Sequence, residues 1–147
     1  MKRIFIMALA LFSAWAACAQ NGLHVEDIFE GKVVPRRQMK ETVIRGEKLD
    51  PFNLEHFYSV AFAGDETVLQ QVSARVLADS DLADDQEIHR DGGILTYAIL
   101  TFEGKNRENR YVCYQCMLQE GGHYGFTLVY MSGPATLEDL KRLFKKR

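Results

Sequence analysis

Two cysteines lie well inside this 147-residue chain, Cys113 and Cys116 in the stretch "YVCYQCML". That C-x-x-C spacing admits a redox dithiol, half of a zinc site, or no chemistry at all, with both thiols serving as small apolar side chains. The local structure decides. The flanks "NRYVCYQCMLQ" are rich in Tyr, Val and Met, hold no Gly or Pro, and run from the polar turn "GKNREN" to the glycine turn "EGGH", a pattern that predicts a strand. On a strand rising about 3.3 Å per residue, Cα atoms three positions apart are roughly 10 Å apart and their side chains leave opposite faces. A disulfide tolerates about 7 Å between Cα atoms, and a zinc ion needs its thiolates to converge at about 2.3 Å each. No helix starts here to lower a thiol pKa as in a thioredoxin-type switch. The two sulfurs are expected to stay unbonded; only a β-bulge between them would bring both to one face and reopen metal or redox chemistry.

The histidines offer little more. His24, His56, His89 and His123 show no metal-ligand spacing among themselves. His24, ahead of Val25, Glu26 and Asp27, reads as surface decoration on a mobile arm. His56 opens an apolar strand and reads as a satisfied edge or core residue. His89 in "EIHRDGG" has Asp91 near enough to orient it as a base, but no nucleophile accompanies it and no Ser sits in a G-x-S-x-G elbow. His123 belongs to the turn "EGGHYG". Neither "DGG" nor "EGG" opens a helix, so both are turns before they are phosphate loops. Twenty acidic residues always offer a carboxylate pair for glycoside hydrolysis, which carries no specific signal. No catalytic, cofactor-binding or metal-ligating residue is assigned, and no cofactor is expected. The remaining feature is aromatic: Tyr97, Phe102, Tyr111, Tyr114, Tyr124, Phe126 and Tyr130 lie on three successive strand-like runs. If one sheet face is uncovered, Tyr97, Tyr111, Tyr114, Tyr124 and Tyr130 are the candidate anchors for a protein or a sugar. The alternative is that they pair across strands and pack inward.

The elements that would position these residues follow from periodicity. Residues 20–40, with Gly31 and Pro35, form an arm holding a short helix or strand near Val25 to Phe29. "ETVIRG" is a candidate strand ended by Gly46. In "LEHFYSVAFAG", His56, Tyr58, Val60 and Phe62 alternate with Phe57, Ser59, Ala61 and Ala63, so the strand is apolar on both faces and central. Asp65 caps a helix whose stripe is Val68, Leu69, Val72 and Val76. "DLADDQEIHRDGG" reads as a polar connection. "ILTYAILTFE", "RYVCYQCMLQ" and "YGFTLVYMS" follow as an antiparallel meander. In "GPATLEDLKRLFKKR", Thr136 and Asp139 have capping-box spacing, and Leu137, Leu140, Leu143 and Phe144 make one apolar stripe. The cations Lys141, Arg142, Lys145, Lys146 and Arg147 suit the helix dipole better than a nucleic-acid or lipid patch. The predicted fold is α+β: an antiparallel sheet of four or five strands with two helices packed on one face, forming a single domain over 41–147.

The chain opens "MKRIFIMALALFSAWAACAQNG", with Lys2 and Arg3 before an apolar run from Ile4 to Ala17. That run is shorter than the roughly 20 residues of a spanning helix, and Ala17 and Ala19 make an A-x-A site, so residues 1–19 read as a signal peptide cut before Gln20. Cys18 then leaves with it; lipidation of Cys18 is the competing reading, disfavoured by Trp15 three residues before. Removal leaves 147 − 19 = 128 residues, enough for one core without disulfide staples. It leaves 16 basic against 20 acidic residues, a formal charge of −4, which gives no counterion-release term for nucleic acid. The mature form is expected to lack a transmembrane segment and to be periplasmic or secreted; its oligomeric state is not specified by sequence.

"CAQNGLHVEDIFEGK", "ETVIRG" with "FYSVAFAGDE", and "LVYMSGPATLEDLKRLF" resemble small exported proteins of Gram-negative bacteria classed as domains of unknown function. The resemblance spans nearly the whole mature chain. It implies an envelope or secreted location and a compact α+β domain, and it carries over no catalytic residue. A link to envelope-stress signalling is also implied, from sigma-factor regulators encoded beside some relatives. The function expected from all of this is a non-enzymatic binding or accessory module of the envelope, meeting an envelope or extracellular protein or a glycan. A small periplasmic hydrolase or metal-dependent enzyme using His89, Asp91 or His123 is the rival.

Overall fold

The computed structural model describes residues 22–104 and 108–145. A short helix α1 (Glu26–Phe29) is followed by a 3-10 turn at Arg36–Gln38 and strand β1 (Lys40–Arg45). A 3-10 segment at Gly46–Phe52 leads to β2 (His56–Gly64) and the long helix α2 (Glu66–Ser80). Strands β3 (Asp85–Asp91), β4 (Ile94–Phe102), β5 (Asn109–Leu118) and β6 (Tyr124–Gly133) follow, and helix α3 (Leu137–Lys145) closes the described chain.

The strands form one six-stranded sheet in the order β1-β2-β6-β5-β4-β3, antiparallel throughout. The fold is therefore α+β as predicted, with six strands instead of four or five. The meander β4-β5-β6 is present. β2 runs between β1 and β6, as its two apolar faces require.

The extra strand is β3, which the sequence presents as a polar connection. Only Ile88 of its seven residues packs against the core, because β3 is an edge strand with most of its length in water. The "DGG" turn fixes it in place: Gly92 and Gly93 have φ of 58° and 82°, the paired positive values that a two-residue hairpin turn needs. The β3–β4 register shifts between His89 and Arg90, leaving Thr96 without a partner. The Thr96 hydroxyl donates to the His89 carbonyl at 3.2 Å, and the extra residue turns Leu95 to the same side as Ala98.

Two apolar clusters lie on opposite sides of this sheet. Val112, Tyr114 and Cys116 of β5 belong to the larger one, whereas Tyr111 belongs to the smaller and Cys113 packs against it. Successive strand residues face opposite ways, so the two clusters cannot share a face. The larger holds Leu69, Val72 and Val76 of α2 together with Val25, Ile28, Phe29 and Val34 of the arm. The smaller holds Leu49 and Leu54, Ala135, and Leu140 of α3. The two helices thus sit on opposite faces, which corrects the one-face packing. A helix with one apolar stripe demands a partner surface but does not specify which one. β5 and β6 are apolar at both odd and even positions and need cover on both sides.

The arm is an integral part of the core, pinned by a buried carboxylate. Asp79, 0% exposed near the C-terminal end of α2, accepts from the His24 amide at 2.6 Å and the Val25 amide at 2.9 Å. Its Oδ1 also lies 2.9 Å from His24 Nδ1. Arg75 adds an ion pair to Asp27 at 3.2 Å. Both predicted caps are present: Asp65 accepts from the Val68 amide at 3.0 Å, and Thr136 and Asp139 cap each other's amides at 3.2 and 3.1 Å. The Thr136 amide and hydroxyl hold the Asp139 carboxyl below its ordinary value. No helix among the described residues is long and apolar enough to cross a membrane.

Candidate functional site

On the face that carries α3, cross-strand partners line up in transverse rows. The first row is Ile44, Phe57, Met131, Tyr111, Thr101 and Asp85. Leu49, Leu54 and Leu140 roof its apolar middle, and the Tyr111 hydroxyl donates to the Ala135 carbonyl beneath them. The second row is Thr42, Ser59, Val129, Cys113, Ile99 and Glu87. The third is Lys40, Ala61, Thr127, Gln115, Tyr97 and His89, and none of these six is buried. Beyond it lie Ala63, Gly125 and Met117, the last 61% exposed. Among the described residues, the roof therefore covers one end of the face and leaves the other open.

An ion-pair cluster marks the border. Lys141 reaches from α3 to Glu87 at 3.0 Å, and His89 Nε2 lies 3.5 Å from the other Glu87 oxygen. Lys141 first, then His89, hold the Glu87 carboxyl below its ordinary value. The His89 ring sits 5.4 Å from that of Tyr97. His89 is thus oriented by Glu87 and not by the Asp91 that sequence spacing suggests.

The open end contains a groove of about 330 Å³. Ala61, Ala63 and Gly125 form its floor, Thr127 and Gln115 stand along it, and Met117 and Gln119 form a lip. Every described residue lining it is uncharged. Gly125 has no left-handed φ, so its lack of a side chain matters for space: a Cβ there would collide with the end of the Gln119 amide. The short floor residue is what lets that amide lie over β6.

The five tyrosines do not meet on this surface. Tyr111, Tyr114 and Tyr130 are each 1% exposed, and Tyr114 and Tyr130 lie in the cluster on the opposite side from Tyr111. Burial raises the pKa of all three, and the Tyr114 hydroxyl donates to the Leu95 carbonyl at 3.0 Å. Half-buried Tyr124 packs with Phe126 on the α2 side. Of the five, Tyr97 alone stands in the open row. The expectation of a tyrosine face is corrected because the α2 side of the meander is covered too, so phenol rings on both faces become core.

Cys113 and Cys116 are free and belong to opposite faces. Burial pushes the Cys113 thiol up to about 12 and also raises Cys116, which leaves both thiols protonated at neutral pH. His56 begins β2 half-buried, and exposed His123 accepts the Gln119 amide at its carbonyl, 2.7 Å away, closing the β5–β6 turn. Among the described residues no three His, Cys, Asp or Glu side chains converge as a metal site. Ala17, Cys18, Ala19 and Gln20 lie outside the described residues. Gln115, Gln119 and Thr127 were not singled out by sequence. Their signal is parity: Gln115 and Thr127 are polar breaks in strands that are otherwise apolar at both odd and even positions.

The model of a family of unknown function, DUF6108, matches residues 12–144. The chain belongs to the DUF6108 family. The match takes in all six strands of the DUF6108 domain and all but the last residue of α3. No curated protein matches its sequence.

Proposed function

We propose that this DUF6108 protein is an exported binding or accessory module of the cell envelope that meets its partner on the open end of the α3-bearing sheet face. The observation that carries the reading is the third transverse row, where polar side chains of interior strands point outward and no helix among the described residues lies over them. An antiparallel sheet can leave a face in water, but here Leu49, Leu54 and Leu140 roof one end of this face and leave a bounded polar band at the other. The amino-terminal sequence supports export, with residues 1–19 as the signal peptide. A stress-signalling role would be one form of the same accessory function. The hydrolase alternative has less support, since His89, Asp91 and His123 are not joined to a nucleophile by the fold.

The test is chemical crosslinking in cells of the native envelope, with the captured species identified. Thr127→Arg, which places a long cation in the open row, should reduce the recovered complex about tenfold, the equivalent of roughly 1.4 kcal/mol. Gln71→Arg on the outer side of α2 should leave it unchanged. A complex insensitive to Thr127→Arg would contradict the assignment of the surface.

A further inference from the structure

We infer that the groove between β2, β6 and β5 is a binding site for a neutral carbohydrate. This rests on the binding-module reading and narrows it to a ligand class. The first argument is charge. A quarter of the chain is charged (26%), yet among the described residues no charged side chain lines the groove. A phosphate or carboxylate entering it would lose hydration with no cation to replace the water, so charge complementarity selects an uncharged ligand.

The second argument is the chemistry left unspent. Among the described residues, the side chains of Gln115, Gln119 and Thr127 make no hydrogen bond within the protein. Each primary amide offers two donors and an acceptor, and the hydroxyl offers one donor and two acceptors. A ligand must answer both kinds at short spacing. Vicinal hydroxyls do so, because each one both donates and accepts, and a planar amide can engage two of them at once. Tyr97, the cross-strand neighbour of Gln115 in the same row, stands on β4 beside the groove and does not line it. The charged and titratable ends of that row, Lys40 and His89, stand on the two edge strands outside the groove.

The third argument separates a sugar from a peptide. An extended peptide is held largely by backbone hydrogen bonds to a free strand edge. The groove lies on the face of β2, β6 and β5, and the backbone groups left without a partner strand nearby, at 62–64 of β2 and 116–118 of β5, point along the plane of the sheet and not into the groove. Its volume of about 330 Å³ is at the small end of the range of about 300–1,000 Å³ typical of ligand sites. That suits one or two sugar rings.

The test is an NMR titration of the purified protein with maltohexaose, cellohexaose and mannohexaose, against the acidic hexagalacturonate and an uncharged serine–glycine peptide. At millimolar concentration a neutral hexasaccharide should shift the side-chain amide signals of Gln115 and Gln119 together with the backbone signals of 125–127. Gly125→Ala displaces only the end of a flexible side chain, so it should fold normally and weaken binding about fivefold, as should Gln115→Ala, each in keeping with the loss of one hydrogen bond. No shift with any of the three neutral sugars, or an equal response to hexagalacturonate or the peptide, would overturn the carbohydrate assignment. If the sugars fail while the Thr127-sensitive complex still forms, the ligand class falls and the binding surface stands. If neither is seen, both fall.

Discussion

Asp79 carries its carboxylate into the core near the end of α2, where the amides of His24 and Val25 and the His24 ring all meet it. An asparagine there keeps the shape but turns an NH2 toward an N–H that needs an acceptor. Asp79→Asn is expected to lower the unfolding free energy by about 2 kcal/mol in urea, the cost of leaving a buried donor unpaired. His24→Ala should cost less, because its ring is 55% exposed and the backbone amide remains. His24 had looked ornamental in sequence, since its partner lies 55 residues away and no local pattern announces it. The cysteines were legible because strand geometry alone decides where i and i+3 point. Their thiols have a pH consequence. Cys113 has a folded pKa of about 12 against an ordinary 9.0, so above pH 9 the unfolded chain releases a proton that the folded chain keeps. Stability from this group is complete below pH 9 and is lost as pH rises toward 12, with the raised tyrosines adding to the fall above pH 10. Urea midpoints measured from pH 8 to 11 should decline steadily, and both native thiols should resist a thiol reagent at pH 8 until urea is added.

Helix α3 buries Leu140, 3% exposed, against the face opposite to α2. Leu140→Ala is therefore expected to cost about 3 kcal/mol in urea unfolding, in the range for a buried leucine. A negligible loss would mean that α3 does not pack on the sheet. Its stripe and capping box were readable from sequence, because both are set by residues within one turn of each other. Its face was not. Which side a closing helix reaches depends on the loop 134–136 and on the cover supplied by Leu49 and Leu54 from far upstream. The clue was present in β5 and β6, whose apolar residues fall on both parities. β3 escaped notice for the opposite reason: an edge strand that buries chiefly Ile88 has no alternation to detect, and "DQEIHRD" is the composition of a loop.

At the scale of the whole molecule, the arm and α2 cover one sheet face, and α3 with the 46–54 segment covers part of the other. What remains is a band running from Lys40 to His89, bounded by the Lys141–Glu87 ion pair and containing the groove over Gly125. The sequence showed no such band because its residues come from six separate strands and become neighbours only through register. The most direct test places a photo-crosslinking residue singly at 115, 127 or 71 in cells carrying the native envelope. Adducts of any chemical class should form from positions 115 and 127 and not from 71 on α2. Adducts from 71 alone, or equal yields from all three, would show that the open band is not where this protein meets its partner.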